Sequence, residues 1–246
     1  MSSCLYDESF SASNHKDLRN FLQNKQLLFV GDSTLRDLML ALVEQVNGTL
    51  TFGSPTHGYL NITQPYVLRA GFAYFPDYGL SQDNQSTFMD HVDNLFRLYP
   101  NARYIILIFG GAQWLSKPML RSLADFLQSW ESLNGGSHPV RVIMKDESAG
   151  FHSPITGVPH IKWSKRQQLS HANSELISVA RSYGWSVLRT HSLTWTRLNH
   201  FEAYARCSCH FHQIKPAMGT HNSAHNVTGP IMRIMLRMLE LKLLYG

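Results

Sequence analysis

Between Gln26 and Asn47 the hydrophobic period of the chain changes once, and that change constrains the fold more than any other feature. Gln26-Leu-Leu-Phe-Val30 is a short, unbroken apolar run, the mark of a strand buried on both faces. Gly31-Asp-Ser-Thr34 follows as a turn whose polar side chains can cap a helix. Leu35, Leu38, Met39, Leu42, Val43 and Val46 then recur at steps of three and four, one face of an amphipathic helix that stops near Asn47-Gly48.

The same alternation recurs downstream. Tyr66–Phe75, Arg103–Phe109, Val140–Met144 and Trp185–Thr190 read as strands. Between them lie helices marked by Phe88, Val92, Leu95, Phe96 and Tyr99, by Leu120, Leu123, Phe126, Leu127 and Trp130, and by Leu169, Leu176, Ile177 and Ala180. A final helix starts at Pro230 and carries Ile231, Ile234, Met235, Met238 and Leu241. Strands alternating with helices make βαβ units, hence an α/β protein with a mostly parallel sheet. The expected architecture is a flavodoxin-like three-layer α/β/α sandwich, one domain over residues 1–246. Two stretches, 146–163 and 198–228, read as long irregular segments, which in compact domains are usually functional.

Composition closes off other classes. The 246 residues are 43% hydrophobic and 16% charged, too apolar for a disordered chain. The apolar runs are strand-length and fall far short of the roughly 20 residues that span a bilayer, so no membrane span is expected. The net charge of +5 comes from Lys and Arg scattered without a basic run, which argues against a nucleic-acid partner. Three cysteines cannot build a disulfide framework. The N-terminus lacks the basic and apolar regions of a signal peptide, which fits either a cytosolic protein or a fragment of a longer secreted one. Four Asn-x-Ser/Thr sequons, at Asn47, Asn61, Asn84 and Asn226, point to the second, a piece of a longer secreted protein.

Three constellations carry chemistry. Ser33 stands where a buried strand ends and a helix begins, with the free N–H groups of a helix start beside it. That suits a nucleophile with an oxyanion site at the mouth of a parallel sheet. Its alternative is a plain turn serine. A serine nucleophile needs a base, and His225, just before the last helix, is the candidate. Asn222, three residues earlier, can accept the Nδ1 proton and fix the tautomer, as in Cys-His-Asn sites. Next, Gly110-Gly111 ends a buried strand, with Gln113 and Trp114 following; Gly111 and Gln113 are candidate oxyanion donors and Trp114 a wall for a sugar, beside Asp32 and Arg36. The plain reading of this segment is a glycine turn with a core tryptophan. Last, Cys207-Ser-Cys209-His210-Phe-His212 gathers ligand types that suit zinc, against the plainer reading of a structural loop with buried thiols. No cofactor is required by the serine chemistry.

Gly31-Asp-Ser-Thr-Leu-Arg36, Gly110-Gly-Ala-Gln-Trp-Leu115, Gly150-Phe-His-Ser-Pro154, Gly157-Val-Pro-His160, Cys207-Ser-Cys-His-Phe-His212 and His225-Asn-Val-Thr-Gly-Pro230 together resemble the SGNH/GDSL hydrolase superfamily. More narrowly they resemble its PC-esterase branch, which includes plant wall polysaccharide O-acetyltransferases and proteins that join this domain to a cadherin-like β-sandwich. The resemblance implies Ser33 as nucleophile, His225 as base, an O-acyl esterase or acyltransferase acting on glycans or glycoproteins, an upstream β-sandwich, and a place in the secretory pathway. It also exposes two departures. Asn222 stands where the family has aspartate, and Gly110 falls at or beside the family's oxyanion asparagine. A catalytically inactive carbohydrate-binding or structural module of the same fold, metal-stabilised or not, is the alternative these departures leave open.

Overall fold

A computed structural model describes residues 17–48, 50–51, 57–63, 68–77, 86–100, 102–111, 114–133, 139–148, 163–197, 213–216 and 224–246. The elements run β1 (Gln26–Gly31), α1 (Ser33–Asn47), β2 (Leu50–Thr51), β3 (Tyr59–Thr63), β4 (Arg69–Tyr74), α2 (Phe88–Leu98), β5 (Ile105–Gly110), α3 (Lys117–Leu133), β6 (Val140–Lys145), α4 (Trp163–Ser182), β7 (Ser186–Leu188), α5 (His191–Trp195), β8 (Gln213–Pro216), β9 (Ala224–Thr228) and α6 (Pro230–Tyr245).

Six strands form the main sheet in the order β3-β4-β1-β5-β6-β7. The last five are parallel neighbours and β3 is an antiparallel edge. Numbered by their own order along the chain, the parallel strands read 2-1-3-4-5, the flavodoxin order. The expected α/β/α sandwich is thus the observed one.

Period-2 geometry divides each strand between two cores. Leu27, Phe29, Ile106, Ile108 and Ile143 face α1 and α6. Leu28, Val30, Ile105, Leu107, Phe109, Val142 and Met144 face α2, α3 and α4. Both faces are covered, so β1 and β5 are buried at every position. That is why they read as unbroken apolar runs rather than as alternations.

Three expectations need correction. Leu198–Thr228 is not wholly irregular: β8 and β9 join β2 in a second, three-stranded antiparallel sheet. Their polar sequences, Gln-Ile-Lys-Pro and Ala-His-Asn-Val-Thr, hide the strand period. This small sheet lies against α1, which explains why α1 is buried at Leu40 and Ala41 as well as along its apolar stripe. The strand expected over 66–75 is shorter, Arg69–Tyr74, and is preceded by β3. Finally, α6 buries Ile231, Met232, Met235, Leu236, Leu239 and Leu243 and leaves Ile234 and Leu241 37% and 42% exposed. Several apolar stripes were available on so hydrophobic a helix, and packing against α1 selected one.

Candidate active site

The carboxyl ends of β1, β4, β5, β6 and β7 meet along one edge of the sheet, and the polar groups of interest are arrayed there. In a 2-1-3-4-5 sheet the strand order reverses between β1 and β5, and ligands bind in the crevice at that switch point. Asp32, Ser33, Gly110, Gly111 and Trp114 flank it.

Local structure starts with Asp32. It is the N-cap of α1, in an extended conformation. Its Oδ1 accepts from the Thr34 N–H at 2.9 Å and the Thr34 hydroxyl at 2.6 Å. Its Oδ2 accepts from Trp114 Nε1 at 3.2 Å, which ties the β1–α1 turn to the segment after β5. Both strand ends need glycine for this approach. A Cβ at Gly31 would lie 2.1 Å from the Gly110 carbonyl oxygen, and one at Gly111 would lie 2.2 Å from Trp114 Nε1 and 2.3 Å from Asp32 Oδ2.

Ser33 is the first residue of α1. Tyr74, at the end of the neighbouring strand, is one of its partners: the phenol oxygen hydrogen-bonds with the Ser33 hydroxyl and the Ser33 N–H. Burial, and secondarily the Asp32 charge, push the Tyr74 phenol above its ordinary range, so it stays protonated at neutral pH. The His57 ring packs edge-on against Tyr74, with centroids 4.6 Å apart. Arg36 is turned inward: its Nε pairs with Asp37 Oδ1 at 2.7 Å and its side chain is 7% exposed.

The end of β6 is denser. Lys145 is fully buried, and its Nζ contacts the Gly111 carbonyl at 2.9 Å, the Asp146 carbonyl at 3.2 Å and Ser148 Oγ at 2.8 Å. Burial lowers its pKa, while Asp32, Asp146 and Glu147 oppose that. Asp146 Oδ1 accepts from Thr190 Oγ1 at 2.9 Å and from the His191 N–H at 3.0 Å, and Oδ2 accepts from Asn173 Nδ2 at 3.3 Å. Glu147 is driven up to about 7, chiefly by burial and further by Asp146, against the pull of Lys145. His191 Nδ1 lies 3.0 Å from the Glu147 carbonyl. A carbonyl can only accept, so Nδ1 is the donor in this contact. His191 Nε2 is buried and has no hydrogen-bond partner among the described residues.

The expected site residues separate into groups. Asp32, Ser33, Gly111 and Trp114 come together. The His225 backbone lies in β9, paired with Leu50 of β2 and Pro216 of β8. Leu50 follows the C-terminal end of α1 by three residues, whereas Ser33 opens that helix; its 15 residues span roughly 22 Å at 1.5 Å per residue. Glu44, in the C-terminal half of the helix, fastens β9 by accepting the Val227 N–H at 2.7 Å. The described backbone therefore does not bring His225 to Ser33, and the His225 side chain lies outside the described residues. So do Gln113, Asn222, Cys207, Cys209, His210 and His212. Among the described residues no group of three or more His, Cys, Asp or Glu side chains is placed to hold a metal, and no helix is long and apolar enough to cross a membrane.

Sequence reasoning missed Tyr74, His57, Lys145 and Ser148. A signal was available for the last two: Lys145-Asp-Glu-Ser148 follows a buried apolar strand directly, so its charges fall at the carboxyl edge where parallel sheets hold ligands.

No protein-family model matches the chain. Among solved structures, a lipase/acylhydrolase from Enterococcus faecalis is similar, with 10% identity over 89% of this chain and 94% of that one and a TM-score of 0.42.

Proposed function

We propose that the chain is an O-acyl esterase or acyltransferase of the PC-esterase type, acting on an acylated glycan or glycoprotein in the secretory pathway as one domain of a longer protein. The observation that carries this reading is the position of Ser33. A hydroxyl and a helix-start N–H converge at the switch point of a 2-1-3-4-5 sheet, on a turn tied down by Asp32 and Trp114. In this reading Ser33 attacks the ester carbonyl, and the Ser33 and Gly111 N–H groups with Gln113 receive the oxyanion. A base other than His225, whose backbone is paired in β9 away from Ser33, moves the proton from nucleophile to leaving group. Trp114 supports the sugar ring. Zinc on Cys207, Cys209, His210 and His212 would be structural, ordering the segment before β9.

A second reading has its own support. The phenol oxygen of Tyr74 takes both the hydroxyl and the N–H of Ser33, the groups an acyl substrate would need. A domain that keeps the carbohydrate cleft and has lost turnover would look this way.

Treatment with a serine-directed fluorophosphonate, followed by peptide mass spectrometry, separates the two. An adduct on Ser33 that disappears in Ser33→Ala supports the esterase. Retention on an immobilised acylated glycan that survives Ser33→Ala, with no adduct, supports the binding module.

A further inference from the structure

We propose that Ser148 and Lys145 form a serine–lysine dyad, a second acyl-accepting centre on the same sheet edge as Ser33. This rests on the acyl-transfer reading of that edge and is independent of Ser33 as nucleophile.

The argument begins with hydrogen-bond inventory. Lys145 Nζ has three close partners: two carbonyl oxygens, of Gly111 and Asp146, and one hydroxyl, of Ser148. An ammonium donates to all three. A neutral amine has two hydrogens and one lone pair. The two carbonyls take the two hydrogens, and the lone pair faces the Ser148 hydroxyl at 2.8 Å. The neutral form is therefore satisfied completely when the Ser148 hydroxyl donates to Nζ. That is the geometry a hydroxyl nucleophile and its base require.

Burial works in the same direction. Lys145 is 0% exposed and its close partners are not carboxylates. A dry ammonium without a carboxylate in contact is expensive, and shedding the proton relieves that cost. Asp32 faces the amine from the β1–α1 turn, and Asp146 and Glu147 face it from the end of β6; their charges hold the proton on more firmly, while burial is the larger influence. The dyad also has fixed supports. Asp146 is pinned by Thr190, His191 and Asn173, and Gly111 accepts from the Ser148 N–H at 3.4 Å as well as from Lys145. Ser148 is 3% exposed, which restricts the acyl group to a small one such as acetyl.

The step balances without a co-reactant. Ser148 Oγ bonds to the ester carbonyl carbon as its proton passes to Lys145 Nζ. The tetrahedral intermediate expels the alcohol, which takes that proton from Nζ. Water then attacks the acyl-serine, Lys145 again carries the proton, and the products are a carboxylic acid and the restored hydroxyl.

The test uses the whole chain and a small methyl fluorophosphonate, with adducts located by peptide mass spectrometry. In Ser33→Ala the adduct is expected on Ser148, at a rate that rises with pH as Lys145 loses its proton. Adding Ser148→Ala abolishes it. Adding Lys145→Met or Lys145→Arg slows it at least tenfold while melting remains cooperative. The arginine variant is the sharper one, because it keeps a cation but cannot act as a base. If a lysine variant fails to fold, Ser33→Ala with and without Ser148→Ala still decides the matter. An adduct confined to Ser33 in the parent, with none in Ser33→Ala, overturns the dyad and leaves the proposed function standing. No adduct on either serine in folded protein overturns both.

Discussion

Asp146 holds Thr190 from 44 residues away in sequence: its Oδ1 accepts both the N–H and the hydroxyl of that residue, and also the N–H of His191. One carboxylate thereby satisfies the start of α5 and joins the ends of β6 and β7. Asp146 is 1% exposed and Thr190 is fully buried, so removing the acceptor leaves buried donors unpaired. Asp146→Ala is expected to cost about 3 kcal/mol or more, at roughly 1–3 kcal/mol for each orphaned group. Asp146→Asn keeps one acceptor oxygen and costs less. Chemical denaturation of the two variants checks this, and equal losses would count against the carboxylate as the organising group.

Glu147 makes stability depend on pH. Its folded pKa, about 7, lies above the unfolded value of about 4.3. Between these values the unfolded chain has released a proton that the folded chain retains. Stability therefore falls as pH rises from about 4.3 to about 7 and then levels, by an amount on the order of 3 kcal/mol. Glu147→Gln should flatten that segment of the profile and melt higher than the parent at pH 8. An unchanged slope between pH 5 and pH 8 would remove Glu147 as its source.

Gly111→Ala should break the link between the two halves of the switch point. The added methyl enters the space shared by Trp114 Nε1 and Asp32 Oδ2, so the 3.2 Å bond between them is lost. We expect a destabilisation of about 2 kcal/mol from this overpacking and at least a tenfold drop in phosphonate labelling of Ser33. A stable variant that labels at the parent rate would show the link to be dispensable.

Tyr74→Phe tests a partner of Ser33. Removing the phenol oxygen takes one partner from the Ser33 hydroxyl and N–H. If that oxygen restrains the nucleophile, labelling of Ser33 rises by about tenfold, the worth of one hydrogen bond. Slower labelling would instead make the phenol a participant in the reaction.

The layers of the fold were legible because their cause is local. Leu27–Val30 and Ile105–Phe109 are apolar at every position, and such runs are stable when both faces of a strand are covered. The period change at Gly31–Thr34 located the strand–turn–helix junction, and with it Asp32 and Ser33, before any coordinates. The alternation of such strands with helices then specified a parallel sheet.

Other features depend on which segments become neighbours. β8 and β9 carry too little apolar pattern to announce themselves, and they form because α1 offers a surface to cover. In α6 the apolar residues allow several buried stripes, and contact with α1 exposed Ile234 and Leu241. Lys145 and Ser148 follow a buried strand in sequence, but nothing local shows that Gly111, at the end of β5, closes on both of them. Tyr74 reaches Ser33 because β4 pairs with β1 in a register that sets Gly31 beside Tyr74. Hydrophobic period is written into consecutive residues and survives in the sequence. Hydrogen-bond partners, and the dryness that sets the charge of a buried lysine, belong to residues brought together from distant parts of the chain, and only the tertiary structure decides them.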